Sequence, residues 1–128
     1  MTAFYIATDL VVSSRSSLAP LAAALKDAYQ PKAASGRPMA RLLVLNGISR
    51  GSAEVDCLRL AKRLVELRGA ARQCWRTAQR RVFDVGIQAG DETRPFEGVR
   101  LSPATLRAVA ALGVQIQVTV YRPGAAEL

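Results

Sequence analysis

Two aspartates in strand-like segments are the side chains of this 128-residue chain best suited to acid–base chemistry. Asp9 and Asp84 each lie opposite the apolar residues of their own alternating segment. If the two strands are neighbours, the carboxylates meet on the polar face of a sheet, and the like charges raise the pKa of at least one of them. The alternative is that both are ordinary solvated carboxylates beside arginines.

The rest of the composition excludes most catalytic classes. The sequence has no histidine, which removes Ser–His and Cys–His nucleophilic sites and the commonest metal ligand. Cys57 and Cys74 are too few for a zinc or redox motif, and both occur in apolar helical patterns that predict buried thiols. No glycine spacing matches a phosphate-binding loop. We therefore predict no metal, no cofactor and no enzymatic activity.

Two further acidic pairs have structural explanations. Glu54 and Asp56 follow Ser52, a good helix-capping residue, and the helix dipole favours negative charge in the first turn. Asp91 and Glu92 lie in a predicted turn. Neither pair is assigned a catalytic role.

Basic residues dominate the charge of the chain, which has a formal net charge of +8. Four arginines are spaced by four residues, so a continuous helix aligns them on one face. This basic stripe consists of Arg68, Arg72, Arg76 and Arg80. As a functional site it binds nucleic acid or an acidic protein surface. As structure, the interpretation that we favour, it is the solvated side of an amphipathic helix with Trp75 in the core.

The N-terminal half predicts two strands and two helical regions. Alternation predicts a strand over residues 4–12, and a helix follows over residues 17–29. A loop over residues 30–38 leads to a continuous apolar strand over residues 41–46. Ser52 then begins a long helix, whose predicted buried stripe includes Val65. Gly69 either breaks that helix or bends it.

The segment over residues 102–121 organises the C-terminal half. Ser102 is the expected N-cap of a helix whose apolar face carries Leu106 and Val109. Gly113 is expected to end that helix with a positive φ. The apolar period then changes to two, which predicts a strand with one buried face. The residues expected on that buried face are Val114, Ile116, Val118 and Val120.

A third strand over residues 81–89 and a short returning strand over residues 96–101 complete the pattern. The order from residue 41 onward is β-α-β-β-α-β, which is the ferredoxin-like, two-layer α+β arrangement with helices on one side of a sheet. An extra strand and helix precede it. We expect one domain over residues 1–122 and a tail over residues 123–128. The alternative is a parallel doubly wound sheet, which the polar strand faces disfavour.

The polar face of the predicted sheet is a candidate interface. The residues expected to share it are Tyr5, Gln115, Gln117 and Tyr121. Tyrosine and glutamine bury well against a two-fold copy, so we favour a homodimer over an RNA-stacking surface or a solvated face.

Three segments of the C-terminal half resemble a family of small bacterial ferredoxin-like α+β proteins of unknown function. They are Arg81–Val–Phe–Asp–Val–Gly86, Leu101–Ser–Pro–Ala–Thr–Leu106 and Ala111–Leu–Gly–Val–Gln–Ile–Gln–Val–Thr–Val–Tyr121. The resemblance implies a ferredoxin-like fold in a bacterial cytoplasm and no established activity. It also suggests an accessory or immunity-type role.

The sequence leads to a ranked set of functions. First is a non-enzymatic module that binds an acidic protein partner or a second copy of itself. Second is a nucleic-acid-binding module that uses the basic stripe, and third is an enzyme that uses Asp9 and Asp84. No N-terminal basic residue precedes the first apolar run and no apolar run is as long as a membrane span, so we predict a cytoplasmic protein.

Overall fold

The computed structural model describes residues 5–26, 29–31, 42–47, 51–90 and 98–122. Within these residues the chain forms an α+β structure of two layers, a mixed sheet and a set of helices. The strands are β1 (Tyr5–Ser13), β2 (Tyr29–Pro31), β3 (Leu42–Gly47), β4 (Arg80–Gln88) and β5 (Gln115–Tyr121). The helices are α1 (Ala19–Leu25), α2 (Ala53–Val65), α3 (Gly69–Thr77) and α4 (Pro103–Ala111).

The described strands form one sheet in the order β2-β3-β1-β4-β5. Strand β1 is antiparallel to both β3 and β4, β2 is antiparallel to β3, and β4 and β5 are parallel. This order does not confirm the ferredoxin-like arrangement. Residues 98–101, where a returning strand was expected, are not in a strand, and residues 96–97 lie outside the described residues. The doubly wound alternative also fails, because only β4 and β5 run parallel.

Local sequence signals explain where the principal helices begin and end. The Ser52 hydroxyl accepts a hydrogen bond from the Val55 N–H at 3.2 Å, and the Ser102 hydroxyl accepts one from the Thr105 N–H at 3.2 Å. Each therefore satisfies a backbone donor that the first turn of its helix leaves free. Gly113 has a φ of +70°, which confirms the predicted glycine cap of α4.

The core lies between the helices and one face of the sheet. Strand β1 contributes Leu10 and Val12, and β4 contributes Phe83, Val85 and Ile87. The helices contribute apolar side chains that pack on these strands: Leu21, Leu25, Cys57, Leu60, Leu64, Ala71, Trp75 and Val109. Trp75 is 5% exposed, which confirms its predicted core position. Cys57 is buried as expected, but Cys74 is only half-buried.

Four residues expected in the core are exposed instead. They are Val65, Leu106, Val118 and Val120. In α4 the buried residues are Thr105 and Val109, one turn apart, so Leu106 is rotated about 100° from that line and faces solvent. Strand β5 lies at the edge of the sheet, where no described helix covers Val118 or Val120.

The first half differs from expectation between α1 and β3. Helix α1 ends at Leu25, and Tyr29–Pro31 pair with β3 instead of extending the helix or opening a loop. Residues 32–38, the remainder of the expected loop, and the tail over residues 123–128 lie outside the described residues. Among the described helices, none has the length and apolar character needed to cross a bilayer.

Candidate functional site

Asp9 and Asp84 are direct cross-strand partners in the β1–β4 ladder. The two strands are therefore neighbours, which is the condition under which the two carboxylates were expected to meet. Both lie on the face of the sheet away from the helices, which we call the open face and which also carries Gly86 and Thr119. The Thr119 hydroxyl donates a hydrogen bond to Asp84 Oδ1 at 2.6 Å. Asp9 is also not without an interaction partner. Within the described residues, no group of three or more Cys, Asp or Glu side chains is arranged to hold a metal ion.

The open face keeps three of the four residues expected in the sheet-face interface. Gln115, Gln117 and Tyr121 share it by alternation along β5. The Tyr121 ring lies over Gly86, where an added Cβ would be 3.4 Å from Tyr121 Cε2. Gln115, Gln117 and Tyr121 are all exposed.

Tyr5 lies on the opposite, helix-covered face, which corrects the prediction for that residue. A register shift between Tyr5 and Ala7 inserts an extra residue into β1. Such a bulge reverses the alternation of side chains on either side of it. Tyr5 therefore points toward α2, while Ala7 stays on the open face opposite Gly86.

Tyr5 begins a chain of hydrogen bonds that runs through the buried side of β1. Its hydroxyl donates to Asp56 Oδ2 at 2.6 Å and lies 2.7 Å from Thr8 Oγ1, which in turn is 4.0 Å from Cys57 Sγ. Because the single Tyr5 proton goes to Asp56, Thr8 donates to Tyr5, and the Cys57 thiol is left to donate to Thr8. Arg59 adds an ion pair to Asp56 at 3.6 Å.

This chain accounts for two shifted pKa values. Desolvation by burial, and then the hydrogen bond to Asp56, raise the pKa of Tyr5 above its usual value. Desolvation by burial raises the pKa of Cys57 to about 11. Both groups are therefore held neutral, and a neutral thiol is a poor nucleophile.

The sequence carried a signal for Asp56 that was missed. Asp56 is 3% exposed and shares the buried stripe of α2 with Ala53, Cys57 and Leu60. A carboxylate on an apolar stripe predicts a buried partner, because an unpaired buried charge is costly. Tyr5 carried no such signal, since alternation alone gave the wrong face.

Glu54 joins the N-terminal ends of two helices. Its carboxylate accepts a hydrogen bond from the Ser102 N–H at 2.7 Å, so a side chain of α2 satisfies the capping residue of α4. That backbone hydrogen bond lowers the pKa of Glu54 below its usual value. Glu54 and Asp56 both lie in the first turn of α2, as expected, and Glu54 has this additional structural contact. Asp91 and Glu92 lie outside the described residues.

The four arginines of the basic stripe do not share one helix. Arg68 is the N-cap of α3, Arg72 and Arg76 lie on α3, and Arg80 begins β4. The break between α2 and α3 is real, because Gly69 has a φ of +57° and α2 ends at Val65. The aligned stripe that the spacing predicted is therefore reduced to Arg72 and Arg76.

Three arginines, of which Arg68 also belongs to the basic stripe, cap the C-terminal ends of helices. Arg63 donates to Ala24 O in the last turn of α1 at 2.6 Å, and Arg68 donates to Val65 O at the end of α2 at 3.3 Å. Arg81 donates to Trp75 O of α3 at 2.9 Å and to Gly113 O after α4 at 3.3 Å. Carbonyl groups at helix ends lack intrahelical donors and favour cations. Part of the basic charge is therefore structural.

Strand β5 is a candidate binding element whose alternating sequence predicts the strand but not its exposure. It has seven residues, none of them charged, and it forms the outer edge of the sheet. Val118 is 54% exposed and Val120 is 60% exposed on the helix side, and Tyr121 is 39% exposed on the open face.

The chain matches no protein-family profile, no curated protein and no solved structure.

Proposed function

We propose that this protein is a non-enzymatic binding module that docks a protein partner by strand addition at β5, and that this partner is a second copy of the chain. The observation that supports the proposal is an exposed, uncharged edge strand of seven residues. The cytoplasmic, accessory role expected from the sequence is part of the same proposal.

The two edges of the sheet differ in how they are protected. Strand β2 has three residues and ends at Pro31, and short edge strands and proline both discourage pairing with another chain. Strand β5 is longer and has neither charge nor proline. A long edge of this kind is a ready template for another strand.

The backbone direction of β5 defines which groups are available for pairing. Ala89 N–H donates to Tyr121 O at 2.8 Å, so the backbone groups of Tyr121 point toward β4. By alternation, those of Gln117 and Thr119 also point inward. The N–H and C=O groups of Ile116, Val118 and Val120 therefore point away from the sheet.

A two-fold axis at Val118 pairs these outward groups with one another. In that antiparallel register Val118 faces its own copy, and Ile116 faces Val120 of the second copy. Each of the three pairs exchanges two hydrogen bonds, so the register supplies about six. Apolar residues then face apolar residues on one side of the joined sheet, and polar residues face polar residues on the other.

Charge supports the same register. Each copy carries a net charge of +8, which opposes association. The joined strands are free of charge, and Arg122, which follows β5, lies opposite Val114 of the second copy. The two Arg122 side chains are therefore kept at opposite ends of the interface.

Sedimentation velocity over a range of protein concentrations tests this proposal. We expect a reversible dimer that Val118→Lys converts to monomer, because the two introduced ammonium groups face each other across the axis. Val65→Lys is the matched control, since Val65 is also an exposed valine, at 64%, but lies on α2. Val118→Pro removes an outward N–H without affecting the ladder with β4, and we expect it also to abolish the dimer.

The outcomes distinguish the proposal from its alternatives. A wild-type monomer at the highest concentration contradicts self-association. A dimer that persists in Val118→Lys and Val118→Pro but is lost in Gln117→Lys places the interface on the open face and contradicts strand addition.

A further inference from the structure

A cleft lies where the C-terminal ends of α2, α3 and α4 meet. Its volume is about 540 Å³, and its walls include Val65 at the end of α2 and Leu112 beyond α4. Three arginines line it: Arg72, Arg76 and Arg81. We call it the basic cleft.

The local sequence makes this cleft strongly positive. The segment between Glu66 and Asp84 contains five arginines and no acidic residue. Arg72 and Arg76 are exposed, and neither forms a salt bridge with a described residue. No carboxylate is among the residues that line the cleft.

The helix ends that border the cleft oppose this charge only in part. Helix C-termini carry partial negative charge. Arg81 already donates to Trp75 O and Gly113 O, and Arg68 donates to Val65 O. The guanidinium groups of Arg68 and Arg81 offset these exposed carbonyls, so the charges of Arg72 and Arg76 are fully available to a ligand, and Arg81 keeps N–H groups that are not bonded to carbonyls.

Arg81 is held in a fixed orientation. Its guanidinium carbon lies 5.6 Å from the centroid of the Trp75 ring, and its two hydrogen bonds use two of its five N–H groups. A planar fork that is held in place loses little side-chain entropy when it binds an oxyanion. The remaining N–H groups match the geometry of phosphate oxygens.

We propose that the basic cleft binds the phosphodiester backbone of single-stranded nucleic acid without sequence preference. Arg72 and Arg76 are one helical turn apart, roughly 6 Å along α3, which suits successive phosphates of an extended strand. A cleft of about 540 Å³ accommodates the sugar–phosphate backbone of one strand. Trp75 is only 5% exposed and cannot stack on a base, so the contacts are to phosphate and carry no sequence information.

Fluorescence anisotropy with a labelled thymidine 12-mer measures this binding in the intact chain. We expect affinity to fall as salt rises, with a log–log slope of about −2, because three arginines each contribute about 0.7 on a single strand. The double variant Arg72→Glu/Arg76→Glu should lower affinity at least tenfold more than a control with the same change in charge.

The control is Arg15→Glu/Arg100→Glu, because both residues are exposed and neither lines the cleft. Each Arg→Glu change removes two charges, so both double variants change the net charge from +8 to +4. Far-UV circular dichroism and Trp75 fluorescence establish that each variant is folded.

Four results overturn the proposal. They are no binding of the 12-mer, equal losses in the two double variants, equal affinity for a duplex of the same length, and full competition by polyglutamate at matched charge. The third assigns the cleft to duplex, and the fourth assigns it to an acidic protein partner. A selective loss in Arg72→Glu/Arg76→Glu, with a preference for the single strand, supports it.

Discussion

Strands β4 and β5 are parallel neighbours with the same alternation of apolar and polar residues, yet their burial differs. Val85 and Val118 are register partners, and they are 1% and 54% exposed. Ile87 and Val120 are also partners, and they are 8% and 60% exposed. Alternation therefore indicates which residues share a face, whereas position in the sheet decides how deeply that face is buried.

The cause of the difference is the neighbourhood of each strand. Strand β4 lies between β1 and β5, and the helices cover its Phe83, Val85 and Ile87 side. Among the described strands, β5 has one neighbour, β4. The apolar side chains of β5 are therefore exposed, although the equivalent side chains of β4 are buried. This exposed apolar surface is the physical basis for proposing a partner there.

The largest expected effect comes from truncating the two register partners. Val85→Ala should reduce the free energy of unfolding by about 2 kcal/mol, because a fully buried side chain loses its apolar contacts. Val118→Ala should change it by less than about 0.5 kcal/mol in the monomer. Urea denaturation at low protein concentration measures both. Equal losses would mean that β5 is covered and that the comparison fails.

A second pair of substitutions tests the turn at Gly113, which connects α4 to β5. Gly113→Ala should cost about 1–2 kcal/mol for the left-handed backbone, and more because its Cβ would lie 2.8 Å from Arg81 Nη2. Gly69→Ala is the matched control, since Gly69 also has a positive φ but has no atom within 4 Å of the added Cβ. The difference between the two losses measures the contact with Arg81. If the losses are equal, Arg81 moves freely and does not hold the turn before β5.

A smaller effect on the free energy of unfolding is expected at alkaline pH from Cys57, which lies on the helix-covered side of the sheet. Cys57 has its pKa raised to about 11 from an ordinary 9.0, so the folded state favours the neutral thiol. That contribution to stability is fully present below pH 9 and is lost as the pH rises toward 11. We expect the free energy of unfolding to fall across this window and to fall less steeply in Cys57→Ala. Identical slopes for the two proteins would contradict a buried, neutral thiol.

The sequence predicted the parts of the fold that depend on local chemistry. Ser52 and Ser102 are N-caps because each hydroxyl accepts a hydrogen bond from a backbone N–H of the next turn. Gly113 ends α4 because a residue without a Cβ adopts a positive φ without strain. All three predictions are confirmed. Trp75 was placed in the core by its spacing on a helix face.

The remaining features depend on contacts between distant segments. The bulge near Tyr5 reverses the side-chain alternation, and only its pairing with β4 reveals it. The prediction of an aligned basic stripe failed because α3 begins after Arg68, its N-cap, and ends at Thr77, before Arg80 begins β4. The exposure of Val118 follows from strand order, which the alternation within one strand does not encode.

Amide hydrogen exchange measured by NMR at two protein concentrations tests the central claim most directly, because adjacent amides of β5 serve as controls for one another. The N–H groups of Gln117 and Thr119 point to β4 and should be protected at both concentrations. The N–H groups of Val118 and Val120 point outward, and their protection should rise as the dimer forms. Unchanged, rapid exchange at Val118 and Val120 at the higher concentration would contradict pairing at this edge.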